Sequence, residues 1–479
     1  MHISDVNTHC SDQGVQGIPL RTLNRYQHLS DWLRSHVVFA SLIIMACSLS
    51  MRLALTCRAE VSQLVFPDSA TYIETAQSLW ESGYFLNRYH KPEISRTPGY
   101  PAFLAVLMSV VGTELRTLLI TQTLIVSLSV LVLYWLARQL LPPPMAFVGA
   151  LLAAFSPWGA VRAGFLLTDG LFLLVLSLLF LAMYFVVQYA RTVVMVIAGG
   201  SLIGLLTSAA VFVRPVLPLI PLVAVVVFAL YPDKRLRAWL LVAAMLVCAA
   251  VPVHLWKMRN MHEAQFNGFT DVSGKAAWQW FSSSVKAQIS GADGDRWAML
   301  RAAEEDEAHW VLSPQEADEE RWRRVKALLR EHPYAAAYAF GMNAAEPFVH
   351  PHAGILAPAR LNFSGDALML GGIWAALVLC AAIGMRQAWG ASQGDDAINR
   401  NWLLAILGMC CVLTLTAGIS FGAGSRYRVP LELIIPLLAG VGLVRMVRLA
   451  SSQGWILLMK DPDRLDRSQP ISSAQEIHK

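Results

Sequence analysis

Long apolar runs alternate with short polar connections along most of this chain. Runs at 37–57, 116–138, 169–189, 192–213, 238–256, 367–385, 402–419 and 429–447 approach or reach the length of a bilayer span, and those at 145–160 and 216–230 are shorter. Together they predict an all-α polytopic membrane protein of roughly ten transmembrane helices with both termini cytoplasmic. The cluster Asp233, Lys234, Arg235 and Arg237 falls where the positive-inside rule wants a cytoplasmic loop. The polar stretch 1–36, with Arg25 and Arg34, reads as a cytoplasmic tail before an uncleaved signal-anchor, and 450–479 as a second tail. Arg52 interrupts the first run close enough to its outer end to snorkel. The segment 257–366 is polar and predicted on the outer side, ahead of C-terminal transmembrane helices within 367–449.

One polar stretch departs from the alternation directly after the first run. Residues 66–101 read FPDSATYIETAQSLWESGYFLNRYHKPEISRTPGYP. Asp68 stands where an N-cap belongs, after Pro67. Tyr72, Ile73, Ala76, Leu79 and Trp80 form one apolar helical face, and Gly83 supplies a stop. Such a helix beside a span lies in the interface plane. The apolar stretch 100–112 is too short to cross comfortably and predicts a second interfacial helix. In the outer segment, 296–331 carries charge of both signs on a helical pattern. Leu300, Ala303, Ala308 and Val311, then Trp322, Val325, Leu328 and Leu329, give it apolar faces.

The first polar stretch resembles the first outer loop of membrane-embedded glycosyltransferases, the group that includes protein O-mannosyltransferases and the lipid A aminoarabinose transferase. The resemblance rests on Pro67-Asp68-Ser69, then Tyr72, Ala76, Leu79 and Gly83, then Arg96-x-Pro98-Gly99-Tyr100-Pro101. A weaker likeness to bacterial members runs through Gly274, Trp278, the charged helix and His332-Pro333-Tyr334. The resemblance implies that Asp68 is the catalytic carboxylate and that the donor is a sugar on polyprenyl phosphate. It also implies a transmembrane catalytic core at 37–256, including a first outer loop at 58–114, in a bacterial inner membrane with a periplasmic active site. Two departures limit substrate transfer from those relatives. Ser69 replaces the Glu that follows their catalytic Asp, and Ala70 leaves no Asp-x-Asp, so a mechanism without metal or other cofactor is expected.

The predicted spans put further charges on the same side: Asp169, Arg214, Arg426 and Arg428. Arg214-Pro215 resembles the family's Arg-Pro turn, and Arg426-Tyr427-Arg428 with Pro430 its closing motif. Sugar transfer needs a base within reach of an acceptor hydroxyl and cations that match a phosphate leaving group. Asp68 is the expected base. Tyr72, Arg96, Asp169, Arg214, Arg426 and Arg428 are the expected substrate contacts. Each has a plainer reading. Asp68 can merely cap a helix, Arg96 brace the Pro-Gly turn, Asp169 favour a helix dipole, and Arg214 and Arg428 snorkel. Glu93 and Arg88 read as solvated loop charges.

Of the 479 residues, 56 % are hydrophobic and 15 % charged, and the net charge of +5 is consumed by orientation, so no nucleic-acid partner is implied. Cys47, Cys248, Cys380, Cys410 and Cys411 lie inside apolar runs without metal-ligand spacing. His350-Pro351-His352 reads as a loop rather than a metal site. The expected partners are membrane lipids, a polyprenyl-phosphate-linked sugar donor, and a glycan, lipid or protein acceptor. Three other readings compete: a lipid or sugar transporter or flippase, with helix breaks near Gly199 and Arg214; a polysaccharide polymerase or ligase; and a non-catalytic scaffold.

Overall fold

A computed structural model describes residues 20–58, 60–61, 67–232, 236–291, 294–349, 366–390, 399–419 and 427–459. Extended pairing among them is limited to an isolated bridge between Leu86 and Pro92. Among the described residues the helices begin, in chain order, with α1 Leu20–Ser35, α2 Val37–Arg58, α3 Pro67–Ser82, α4 Gly99–Val111, α5 Leu115–Leu140, α6 Pro143–Ala154, α7 Pro157–Ala163, α8 Thr168–Tyr189, α9 Val193–Val213, α10 Leu219–Leu230 and α11 Leu236–Ala264. Local chemistry sets these limits. Glu114 caps α5 by accepting from the amides of Arg116 and Thr117, Ser156 caps α7 through Gly159, and Gly83 ends α3 at φ +76°.

All ten apolar runs fall on helices. Among the described residues six helices are long and apolar enough to cross a membrane: α2, α5, α8, α9, α11 and Arg400–Ile419. The pair α6 and α7, bent by 55°, makes a seventh if it is one span. The chain is an integral membrane protein. α10 has 12 residues, roughly 18 Å of helix against a hydrocarbon core of about 30 Å. Proline at 215 and 218 delays its start and shortens it.

α9 runs unbroken through Gly199 and Gly200, so no helix break lies there. These glycines serve packing instead. A Cβ on Gly200 would come 2.5 Å from the Leu241 carbonyl oxygen, and one on Gly204 would collide with that of Met245. The Gly-x-x-x-Gly spacing brings α9 directly against the backbone of α11.

Two connections mark one end of the bundle. The Asn399 amide donates to the Leu140 carbonyl at 2.9 Å, and the Tyr231 hydroxyl to the Ala190 carbonyl at 2.8 Å. α3, α4, the start of α8 and the end of α9 lie at the other end, together with the outer segment.

That segment begins later than the hydropathy suggests, because α11 continues to Ala264. It contains α12 Val272–Lys275, a π-helical turn Ala276–Phe281, α13 Ser282–Ile289, α14 Arg296–Ala308, α15 Pro314–Glu331 and α16 Pro333–Val349. α15 starts with a complete capping box between Ser313 and Glu316. Small cores form around Ala277, Trp278, Ala303 and Val325, and around Phe281, Val285, Ala336 and Ala339. Three expected apolar-face residues, Ala308, Val311 and Trp322, are exposed outside them. Val311 is 98 % exposed because α14 ends at Ala308, and Trp322 is 37 % exposed. α17 Asp366–Gly390, α18 Arg400–Leu415 and α19 Leu431–Met459 complete the fold.

Candidate active site

α3 projects Asp68, Thr71 and Tyr72 from its first turns towards Arg96, just ahead of α4. The Arg96 guanidinium donates to Asp68 Oδ1 at 2.7 Å, to Thr71 Oγ1 at 2.9 Å and to the Tyr72 hydroxyl at 3.5 Å. Its carbon stands 4.7 Å over the Tyr72 ring. Burial lowers the Arg96 pKa, but the Tyr72, Asp68 and Glu93 side chains outweigh it and raise it above the usual guanidinium value. The pair stays accessible, with the Asp68 side chain 37 % exposed and that of Arg96 20 %.

A second ion pair lies deeper. Arg214, just after α9, donates to Asp169 Oδ1 at 3.3 Å, in the first turn of α8. The Arg214 guanidinium carbon is 4.8 Å from the Tyr427 ring centroid and 5.8 Å from that of Phe172. The Asp169 side chain is 1 % exposed and that of Arg214 13 %. Asp169 therefore holds an arginine, beyond any effect on the helix dipole.

Two contacts join the pairs. Gly99 lets the start of α4 lie against the end of α9, where a Cβ would come 2.5 Å from the Phe212 carbonyl carbon. Tyr72 packs edge-on to Tyr100, with centroids 5.1 Å apart. The Tyr100 hydroxyl donates to Gln122 Oε1 at 2.6 Å, and Gln122 Nε2 donates to the carbonyls of Phe165 at 2.6 Å and Ala163 at 3.2 Å. Gln122 thus ties the Pro-Gly-Tyr-Pro turn to the α7–α8 connection that leads into Asp169.

Arg428 goes elsewhere. It is fully buried, 4.3 Å from the Trp374 centroid and 4.7 Å from that of Trp158, with Nε 4.0 Å from Glu432. Glu432 also accepts from Arg162 at 2.5 Å. Arg52 joins this interior group. It is 2 % exposed and bonded to Ser48 one turn earlier, so it does not snorkel. The reason is the bundle's own polarity, since Arg52 and Glu432 line the same small cavity. Arg426 and His350 to His352 lie outside the described residues. Among those described, no three His, Cys, Asp or Glu side chains gather as a metal site.

Glu93 is not a solvated charge. It is 7 % exposed, and its Oε1 accepts from the amides of Ser95 at 2.5 Å and Arg96 at 3.0 Å. Arg88 stays half-exposed beside Glu74 at 3.4 Å. Sequence reasoning also passed over Thr71 and Gln122. The signal for Gln122 was available: Thr121-Gln122-Thr123 is a polar patch inside an apolar span.

Residues 95–256, about a third of the chain, match the sequence profile of the dolichyl-phosphate-mannose-protein mannosyltransferases. Over that segment the chain is similar to this mannosyltransferase family. The matched segment contains Arg96, Asp169 and Arg214, and excludes Asp68 and Arg428. Among curated proteins none matches. Among solved structures, the chain is similar to the oligosaccharyltransferase AglB of Archaeoglobus fulgidus, in complex with an inhibitory peptide and a dolichol-phosphate. The TM-score is 0.45 and the identity 13 %, over 90 % of this chain and 55 % of that one. It is also similar to ArnT of Cupriavidus metallidurans bound to undecaprenyl phosphate, at TM-score 0.38 and 19 % identity, over 87 % of this chain and 78 % of that one. The chain spans about half the length of the archaeal enzyme.

Proposed function

We propose that the chain transfers a sugar from a polyprenyl-phosphate-linked donor to an acceptor hydroxyl at the outer face of a bacterial inner membrane. The observation that carries this reading is the accessible Asp68–Arg96 pair at the head of an apolar bundle, backed by the buried Asp169–Arg214 pair. A donor with a lipid tail sits in the bilayer and presents its phosphate at that depth. Its phosphate offers Arg96 a stronger partner than one carboxylate oxygen, so Arg96 turns to it and uncovers Asp68. Asp68 then takes the acceptor proton as the hydroxyl oxygen bonds to the anomeric carbon. The bond from that carbon to the phosphate oxygen breaks, and its electrons remain on the lipid phosphate. Attack opposite the leaving group inverts the anomeric centre. Arg96 and Arg214 oppose the developing charge, and Arg426 is proposed beside them. Tyr72 and Asp169 set the two arginines. Arg428, enclosed by tryptophans, supports the Tyr427 contact with Arg214 in this scheme.

The test profiles glycans and glycolipids by mass spectrometry in cells lacking the chain, complemented with wild type or Asp68→Asn at equal membrane levels. One conjugate is expected to lose a sugar that wild type restores. Loss of a positioned general base costs about 10²–10⁴ in rate, so Asp68→Asn should not restore it. Full restoration by Asp68→Asn removes Asp68 as the base. No change in any conjugate on deletion removes the transferase reading.

A further inference from the structure

The turn that carries Arg96 is gripped from the outer segment. Arg259, in the extension of α11, donates to the Glu93 carbonyl and to the Phe85 carbonyl, both at 2.8 Å. Thr270 Oγ1 donates to the Ser95 carbonyl at 2.9 Å. Lys275, at the end of α12, donates to Ser95 Oγ at 2.7 Å. Ser95 is the residue before Arg96, and both amides are held by Glu93 Oε1.

Lys275 does not act from a loose loop. Its ammonium also pairs with Asp271 Oδ2 at 2.8 Å, and Asp271 is 5 % exposed. Arg321 of α15 stands 3.9 Å from the same oxygen, 3.6 Å from Asp318 and 2.5 Å from Glu307 of α14. Arg321 is itself 4 % exposed. Asp318 lies so close to Gly274 that a Cβ there would collide with its carboxylate. An ionic chain therefore runs from the core of the outer helices through Asp271 and Lys275 to Ser95. A helical cover alone does not need a lysine reaching out of it into the neighbouring loop.

We propose that Lys275 is a positioning residue for sugar transfer. It fixes Ser95, and so the backbone of Arg96, from the outer segment. The proposal rests on the transferase reading of the Asp68–Arg96 pair. Lys275 touches neither Asp68 nor the reacting atoms. It sets where the guanidinium stands when the lipid phosphate arrives.

Two measurements on the full chain in lipid nanodiscs test it. The first is hydrogen exchange of peptides covering residues 93–97 in Lys275→Met, Lys275→Arg and the exposed control Arg323→Gln. Loss of one charge-assisted hydrogen bond is expected to speed exchange of the Ser95 and Arg96 amides about tenfold in Lys275→Met. Lys275→Arg should recover most of the protection, and Arg323→Gln should leave it unchanged. Unchanged exchange in Lys275→Met overturns the proposal. The second is a double-mutant cycle for binding of undecaprenyl phosphate. Lys275→Met should weaken binding about tenfold alone and not at all in an Arg96→Gln background, because it acts through Arg96. Additive losses overturn the positioning role. If the wild type does not bind undecaprenyl phosphate, the transferase reading fails and takes the role in transfer with it, while the exchange data still decide whether Lys275 holds the turn.

Discussion

Replacing Gln122 by leucine tests whether the two ion pairs are held as one unit. Gln122 is fully buried in α5 and makes three hydrogen bonds: one accepted from Tyr100, and two donated to the carbonyls of Phe165 and Ala163. Interhelical hydrogen bonds in membranes average about 0.6 kcal/mol, so three amount to about 2 kcal/mol. The Ala163 carbonyl keeps Thr123 Oγ1 at 3.2 Å. Gln122→Leu should therefore destabilise by about 2 kcal/mol. The decisive variant is the double mutant. Tyr100→Phe alone strands the Gln122 oxygen and should cost about 1 kcal/mol. Added to Gln122→Leu, it finds no Gln122 bond left to break and should cost close to nothing. Reversible unfolding in mixed detergent and lipid micelles, followed by tryptophan fluorescence, gives all four corners of the cycle. Tyr100→Phe making Gln122→Leu worse by its full single-mutant cost would refute the claim that this bond links the turn to α7–α8.

Other substitutions probe separate links. Gly99→Ala should destabilise by about 2 kcal/mol or more, because its Cβ meets the rigid backbone of Phe212 and Val213; a loss below about 0.5 kcal/mol in the same unfolding assay would contradict that packing. Arg96→Lys keeps the charge but cannot serve Asp68, Thr71 and Tyr72 with one planar fork, and should lower transfer about tenfold or more in the glycan assay. Glu320, hydrogen-bonded to Arg323 and Arg324, has its pKa depressed to about 2. Its contribution is therefore present above the unfolded carboxylate pKa near 4.3 and is lost as pH falls towards 2. Hydrogen exchange in α14 and α15 should accelerate over that window in wild type, and Glu320→Gln should flatten this dependence while raising exchange near neutrality.

Hydropathy located every run that became a helix, because burial in lipid demands contiguous apolar side chains and satisfied backbone groups. The first loop was legible for a similar reason. Asp68, Arg96 and the Pro-Gly-Tyr-Pro turn lie within one stretch, and polar groups so close to a span stand out. The polar partners within the bundle were harder to read. Arg52 looked able to snorkel because its depth could be counted, but the direction of its side chain depends on Ser48 and on Glu432, hundreds of residues away in sequence. Glu93 looked solvated because it stands among loop charges. Arg259 bonds its carbonyl and Thr270 that of Ser95, and both lie far along the chain, beyond several apolar helices. Pattern reasoning also overextended the apolar face at Val311, where the helix had already ended.

Depth sorts the arginines by what they can do. A guanidinium that meets a phosphate must exchange its resting partner for the ligand, and this costs least where water or substrate can replace the lost contact. Arg96 satisfies this, with both members of its pair partly exposed. Arg214 is intermediate, paired with a carboxylate of 1 % exposure but itself 13 % open and faced by Tyr427. Arg428 does not satisfy it: two tryptophans enclose it, Glu432 is shared with Arg162, and pulling it out would leave charges buried in a medium of low dielectric. Tyr427 and Arg428 are adjacent, so anchoring one side chain fixes the other against Arg214. On this reading Arg428→Lys should alter the donor concentration needed for half-maximal transfer through Tyr427, with a smaller change in maximal rate. Arg96→Lys should chiefly depress the maximal rate, since its contact strengthens as the phosphate departs. Opposite splits in the two variants would reverse the assignment and make Arg428 the phosphate contact.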